Sequence, residues 1–182
     1  QTRPDGGYSY DVSTMSDEVI GQAALANRKD VRNAVEAASK AADWGRKSGH
    51  NRSQILWYIA ENLQQRETDL ISRIDAMTGC GIETAKKEVS EAIDRWTYWG
   101  SWSSNYDGII HDTPIRSVVL AMNEPVGVCG VICPEKTPLL GITSLAAPLL
   151  AMGNTVIALA SEKSPLAAVD LYHVLEGSDL PP

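Results

Sequence analysis

Glu135 and Lys136 stand side by side between two prolines in the stretch "GVCGVICPEKTPLLG", residues 127–141. A carboxylate next to an ammonium on a tight turn could work as a pair, giving and taking protons. It could equally be a solvated pair with no task. Two of the chain's three cysteines, Cys129 and Cys133, lie in the same stretch, and the third is Cys80. A thiol attacks only as the thiolate, which needs a cation, a histidine or a helix N-terminus beside it. Cys129 and Cys133 instead fall among valine and isoleucine in what reads as a buried strand, so both read as small hydrophobes. His50, His111 and His173 are isolated, and no Cys/His cluster has metal-ligand spacing. An odd cysteine count with no CxxC pair points to reduced thiols and a cytoplasmic compartment.

The chain that must position these groups has 182 residues, enough for one substantial domain or two small ones. Its apolar content of 43 % and charged content of 21 % are those of a globular protein. A net charge of −7 argues against a nucleic-acid partner or an anionic membrane. The nearest basic cluster, "RKDVR", is broken by Asp30 and reads as the exposed start of a helix. No apolar run approaches the ~18 residues a membrane span needs. "QTRPDGGYSY" has no apolar core of a signal peptide.

Residues 1–27 read as loop and short strands, "GGYSYDV" and "EVIGQAAL". Asn27 then offers a helix cap with Asp30 three residues on, and Val31, Ala34, Val35, Ala38 and Ala42 follow at helical spacing up to a stop at Gly45. Three more helices are predicted: over about 51–65, with Ile55, Ile59, Ala60 and Leu63 on one face; over 67–78, ended by Gly79; and over 82–103. The last carries Trp96, Trp99 and Trp102, whose neighbours include Asp94, Tyr98 and serines and which read as packing rather than a nucleobase platform.

Beyond Tyr106 the pattern turns to β, with a turn at 112–114, a strand over 115–122, a break at 123–125 and a further strand. "LLGITSLAAPLLAMGN" is apolar nearly all round and reads as a buried helix stopped by Gly153 and Asn154. "TVIALA" is a continuous apolar strand, as in a parallel sheet covered on both faces. "SPLAAVDLYHVLEG" reads as a helix with a Ser164 cap and Pro165 in its first position. Strand, helix, strand, helix is the start of a wound parallel sheet. Two parallel strands cannot bury both faces, and "DLPP" arrives where another strand belongs, so a piece of a longer protein is expected. Neither GxGxxG nor GxxxxGK[ST] occurs.

The stretch "NEPVGVCGVICPEKTPLLGITSLAAPLLAMGNTVIALASEKSPLAA" resembles the aldehyde dehydrogenase superfamily. The general form there is E-P-x-G-V-x-G-x-I-x-P-W-N-x-P, a buried helix ending in G-N-x-V-V, then K-P-S-E-x-x-P. "DVRNAVEAASKAADW" and "RSQILWYIAENLQQRETDLISRIDAMTG" look like that family's first helices. The resemblance covers roughly residues 7–182. "RPDGGYS", "NRKDVRNAVEA" and "MNEPVGV" make the chain similar to the degenerate second module of the two-module members, family 16.

The resemblance implies an α/β fold: a mainly helical part over 1–105, strands of an oligomerisation element over 106–125, and the start of a Rossmann-like cofactor domain over 126–182, together one partial domain. It implies a cysteine nucleophile, an oxyanion held in part by the Asn of P-W-N, NAD or NADP as acceptor, and a water-activating glutamate. Lys136 stands at the Asn position and Glu135 at the Trp position. A rigid short amide is a fixed donor, and losing one costs about 10²–10³ in rate; a lysine stem is longer and more mobile. In K-P-S-E the lysine and glutamate serve the adenine ribose; here Leu159 replaces that lysine and Glu162 remains. Ile132 and Cys133 match backbone positions lining the nicotinamide side. The nucleophile and water-activating glutamate of the family lie past residue 182. The resemblance therefore implies a non-catalytic module with a structural or oligomerisation role and weakened cofactor binding. Its partners would be the rest of its own domain, and a second copy or another module. The other reading is the N-terminal half of an active NAD(P)-dependent enzyme oxidising aldehydes to acids, with Lys136 as oxyanion donor and Glu162 on the ribose.

Overall fold

A computed structural model describes residues 6–181. The loop expected at residues 1–5 and the terminal Pro182 lie outside the described residues. The chain opens with an antiparallel hairpin, β1 (Ser9–Ser13) and β2 (Val19–Ala24), whose register slips between Val12 and Ser13. Helix α1 (Arg28–Lys40) starts in a capping box: Asn27 Oδ1 accepts the N–H of Lys29 at 2.7 Å, and Asp30 Oδ2 accepts that of Asn27 at 2.8 Å. Gly45 does not end it. The helix stops at Lys40 and tightens into a 3₁₀ turn, Ala41–Arg46, that contains Gly45 and buries Trp44. Of the five apolar residues read along α1, only Ala38 is buried.

Three helices follow, α2 (Gly49–Gln65), α3 (Glu67–Thr78) and α4 (Ile82–Ser103). Ser48 caps α2 two residues earlier than predicted, accepting the N–H of Asn51 at 3.2 Å. Gly79 ends α3 in the left-handed region, φ 61°. A three-residue step falls about 60° short of a helical turn, so the tryptophans of α4 drift round it. Trp96 is fully buried, Trp99 half-buried and Trp102 exposed.

A short ribbon, β3 (Ile109–His111) with β4 (Val119–Ala121), projects next. The predicted strand over 115–122 shrinks to three residues because nothing covers it. Ile109, Ile110, Leu120 and Met122 are all exposed. The chain then forms β5 (Val128–Ile132), α5 (Pro138–Ala151), β6 (Thr155–Leu159) and α6 (Leu166–Glu176). β5 and β6 pair in parallel, from Val128 opposite Thr155 to Ile132 opposite Leu159. Asn154 aligns them, its Oδ1 accepting the Gly127 N–H at 3.0 Å. The α/β reading holds, with a helical N-terminal part, a protruding hairpin and a parallel pair. β6 is not covered on both faces as predicted, Ala158 and Leu159 being exposed, and β5 is not the buried strand expected: its alternate residues are exposed, and Cys129 is half-buried. Pro165 itself takes the cap position of α6, and Ser164 does not cap it.

Helix α5 is the centre of the packing, touching α2, α4, α6 and both strands. Leu139, Ile142, Ala147 and Leu150 are buried along it beside Trp44, Trp96 and Leu171. Each buried leucine or isoleucine contributes about 2 kcal/mol. That burial fixes α5, and hence the turn at its start.

Candidate functional site at the carboxyl ends of the parallel strands

In parallel α/β sheets ligands bind beyond the carboxyl ends of the strands, because the loops diverge there and the helix N-termini point in. Here those ends are Ile132 and Leu159, opposite one another and 78 % and 57 % exposed. The Cys133 N–H donates to Leu159 O at 2.9 Å, so the pairing runs one residue past the strand. Cys133 is buried, and burial pushes its thiol up from the ordinary range, away from the thiolate. Cys80 and Cys129 point their sulfurs at carbonyls, Gly81 O at 3.6 Å and Gly127 O at 3.9 Å.

Residues 134–137 turn the chain into α5. The turn sits hard against that helix: a Cβ on Gly141 would lie 2.3 Å from Pro134 Cγ. Glu135 does not pair with its neighbour Lys136. Its Oε2 meets Lys163 Nζ at 2.7 Å, across the gap between the β5–α5 and β6–α6 turns. The Glu135 carboxylate pushes the Lys163 ammonium up, with Glu162 adding to it. Lys136 is exposed and makes no ion pair among the described residues. Glu162 is exposed, and its main-chain oxygen accepts the Tyr10 hydroxyl at 3.0 Å. Burial, then the charge of Glu162, pushes the Tyr10 phenol up. The structure thus brings Ile132, Cys133, Glu135, Lys136, Leu159, Glu162 and Lys163 to one end of the sheet.

Sequence reasoning missed three of the residues that hold this end. Lys163 and Tyr10 act over long separations and left no local signal. Glu88 did leave one. It falls on the inward stripe of α4 with Ala85, Val89, Ala92 and Trp96, where a carboxylate is out of place. It is 7 % exposed, and its Oε1 accepts the N–H groups of Leu139 and Leu140 at 2.9 and 3.2 Å. Burial raises its pKa from 4.5 against those two bonds, which lower it, and Glu91 adds a smaller upward push. A carboxyl raised on folding gives stability that is full below the unfolded pKa and lost as pH rises through the folded one. The stability that Glu88 contributes is therefore expected to fade as pH climbs above about 4.5. Glu88→Gln should lack that component, as urea titrations at stepped pH would read. Identical pH profiles would contradict it.

A sequence profile described as the aldehyde dehydrogenase family matches residues 5–182. The chain belongs to the aldehyde dehydrogenase family. An aldehyde dehydrogenase of Davidiella tassiana is 34 % identical over 180 residues, which is 97 % of this chain and 36 % of that protein. A cytosolic 10-formyltetrahydrofolate dehydrogenase of Pongo abelii is 31 % identical over 187 residues, 97 % of this chain and 21 % of that protein. Among solved structures, an NAD-dependent aldehyde dehydrogenase from Sinorhizobium meliloti superposes with a TM-score of 0.95 at 27 % identity, covering 100 % of this chain and 37 % of that one. The fold is also that of a Staphylococcus aureus betaine aldehyde dehydrogenase solved with NAD+, TM-score 0.95 at 23 % identity, with 99 % of this chain and 37 % of that one covered. The chain therefore spans about a third of the aldehyde dehydrogenases it resembles. Among the described residues no group of three or more His, Cys, Asp or Glu could hold a metal ion, and no helix is long and apolar enough to cross a membrane.

Proposed function

We propose that this chain is the cofactor-side portion of an aldehyde dehydrogenase module that has moved from catalysis to a structural role, with nucleotide binding weakened. The observation that carries this reading is Leu159. It ends β6, 57 % exposed, where the resemblance calls for a lysine on the adenine ribose. A leucine offers no donor and no charge. The nearby cation Lys163 is already engaged by Glu135. The residues present fit a dinucleotide in part: the exposed Glu162 carboxylate can accept from ribose hydroxyls, and the backbone at Ile132 and Cys133 can line the nicotinamide side. A bound NAD would supply a hydride acceptor. The 2′-phosphate of NADP would meet Glu162 with no free cation from residues 159–163. The same resemblance assigns 1–105, 106–125 and 126–182 to one partial domain, of the kind found as the second module of family 16.

The exposed surfaces suit assembly. The rest of the domain would pack along the outer side of β6, where an apolar cleft of about 400 Å³ lies between α1 and α6, lined by Ala38, Trp44, Ala158 and Leu171. The ribbon of β3 and β4 offers apolar side chains and pairing edges to a second copy or another aldehyde dehydrogenase module.

A second reading keeps the enzyme, and exposed Lys136 favours it: a cation with no ion pair among the described residues, on the turn that would face an oxyanion. The two readings part on aldehyde-dependent NADH formation by the intact parent protein and its Lys136→Ala variant. The structural reading expects no turnover from either. Turnover in the parent protein that falls about 10²–10³-fold in Lys136→Ala would establish the enzyme instead.

A further inference from the structure

Helix α5 has no cap of its own. The Thr137 side chain makes no capping bond, and Pro138 leads the helix with no N–H to give. The N–H groups of Leu139 and Leu140 follow, at positions that have no acceptor within the helix. Both are satisfied by one buried oxygen, Glu88 Oε1, reaching across from α4 over 51 and 52 residues of sequence. The other end of α5 is held in the same manner. Trp44 Nε1 donates to Leu150 O at 2.9 Å, and Arg52 Nε and Ser103 Oγ each donate to Ala151 O at 2.9 Å. A carboxylate thus sits at the positive end of the helix dipole and a guanidinium at the negative end, each in the favourable sense.

We propose that Glu88 is a positioning residue for the turn at 134–137: by anchoring the first two free N–H groups of α5 to α4, it fixes where Glu135 and Lys136 stand at the carboxyl end of β5. Apart from the buried face of α5 and the Gly141 N–H donated to Thr137 O at 2.7 Å, the turn is held by weak side-chain contacts. Among the described residues Glu135 pairs with the exposed Lys163, an ion pair of small worth in water. Pro134 leans on Gly141, so its place follows that of α5 itself. A shift at the start of α5 therefore moves the whole turn. The proposal rests on the aldehyde dehydrogenase reading only for what Lys136 would meet there. The anchoring itself is independent of it.

The test uses the 182-residue chain with its amide hydrogens followed by NMR. In Glu88→Leu, exchange at Leu139 and Leu140 is expected to quicken by about tenfold or more relative to Leu150 in the same helix, a ratio from which global stability cancels. The Lys136 and Thr137 amide signals should move with it. Glu88→Gln keeps an oxygen acceptor in place and should hold both readouts near the native values. Should Glu88→Leu fail to fold, Glu88→Asp withdraws the oxygen by one methylene and must show the same selective loss. An unchanged exchange ratio in the leucine or aspartate variant, or equal loss in Glu88→Gln, overturns the assignment. A separate NAD titration of the native chain tests the nucleotide reading, and a failure there leaves the amide result standing.

Discussion

Replacing Leu159 with lysine is expected to tighten NAD binding about tenfold. The position ends β6 opposite Ile132, next to the turn that carries Glu162. A donor left without a partner, or a ligand hydroxyl without one, costs about 1–3 kcal/mol when buried. Leu159 is 57 % exposed, so water already serves part of that need and the lower half of the range applies. One hydrogen bond to a ribose hydroxyl then corresponds to about tenfold in affinity. Leu159→Met keeps shape and polarity and should leave binding where it is. Calorimetric titration of both variants with NAD checks this. Equal affinities for Leu159→Lys and the native chain would show that the lost lysine is not what limits binding.

Gly141→Ala is expected to cost about 3 kcal/mol of stability, at the upper end of what one added methyl does to a packed core. The new Cβ would lie 2.3 Å from Pro134 Cγ and 2.6 Å from its Cδ, far inside contact distance. Neither side can yield easily. Pro134 is a ring fixed to the backbone. Gly141 lies in the first turns of α5, where its N–H donates to Thr137 O at 2.7 Å. The strain therefore falls on the turn, and the Glu135–Lys163 pair should loosen with it. Chemical denaturation reads the first effect. A stability within 0.5 kcal/mol or so of native, inside the ordinary range for a harmless surface change, would contradict it.

Much of this architecture was legible because its signals are local. Asn27 with Asp30 announces α1 by a reciprocal cap, Gly79 stops α3 where only a left-handed residue fits, and the apolar circumference of α5 requires burial. The resemblance to the family also grouped Lys136, Leu159 and Glu162 in one site. What stayed hidden is set by distant residues. Apolar content alone made β5 look buried and β6 look covered on both faces, yet coverage depends on neighbours that residues 6–181 do not supply. The strand over 115–122 failed for the same reason. Glu135 found Lys163 rather than Lys136, a choice of partner that spacing along the chain cannot reveal. Glu88 was within reach of sequence reasoning, since a carboxylate on a core stripe demands a buried donor. Its donors, the first free amides of α5, only become evident once α4 and α5 are packed.

We propose that the carboxyl end of this parallel pair keeps the family's backbone wall but has lost its grip on the dinucleotide. Calorimetric titration of the native protein with NAD tests it most directly. The expected result is a dissociation constant of about 1 mM or weaker, some 4 kcal/mol of binding free energy at most. Saturable binding at about 1 μM, roughly twice that free energy, would contradict it and return Glu162 and Lys136 to a working site.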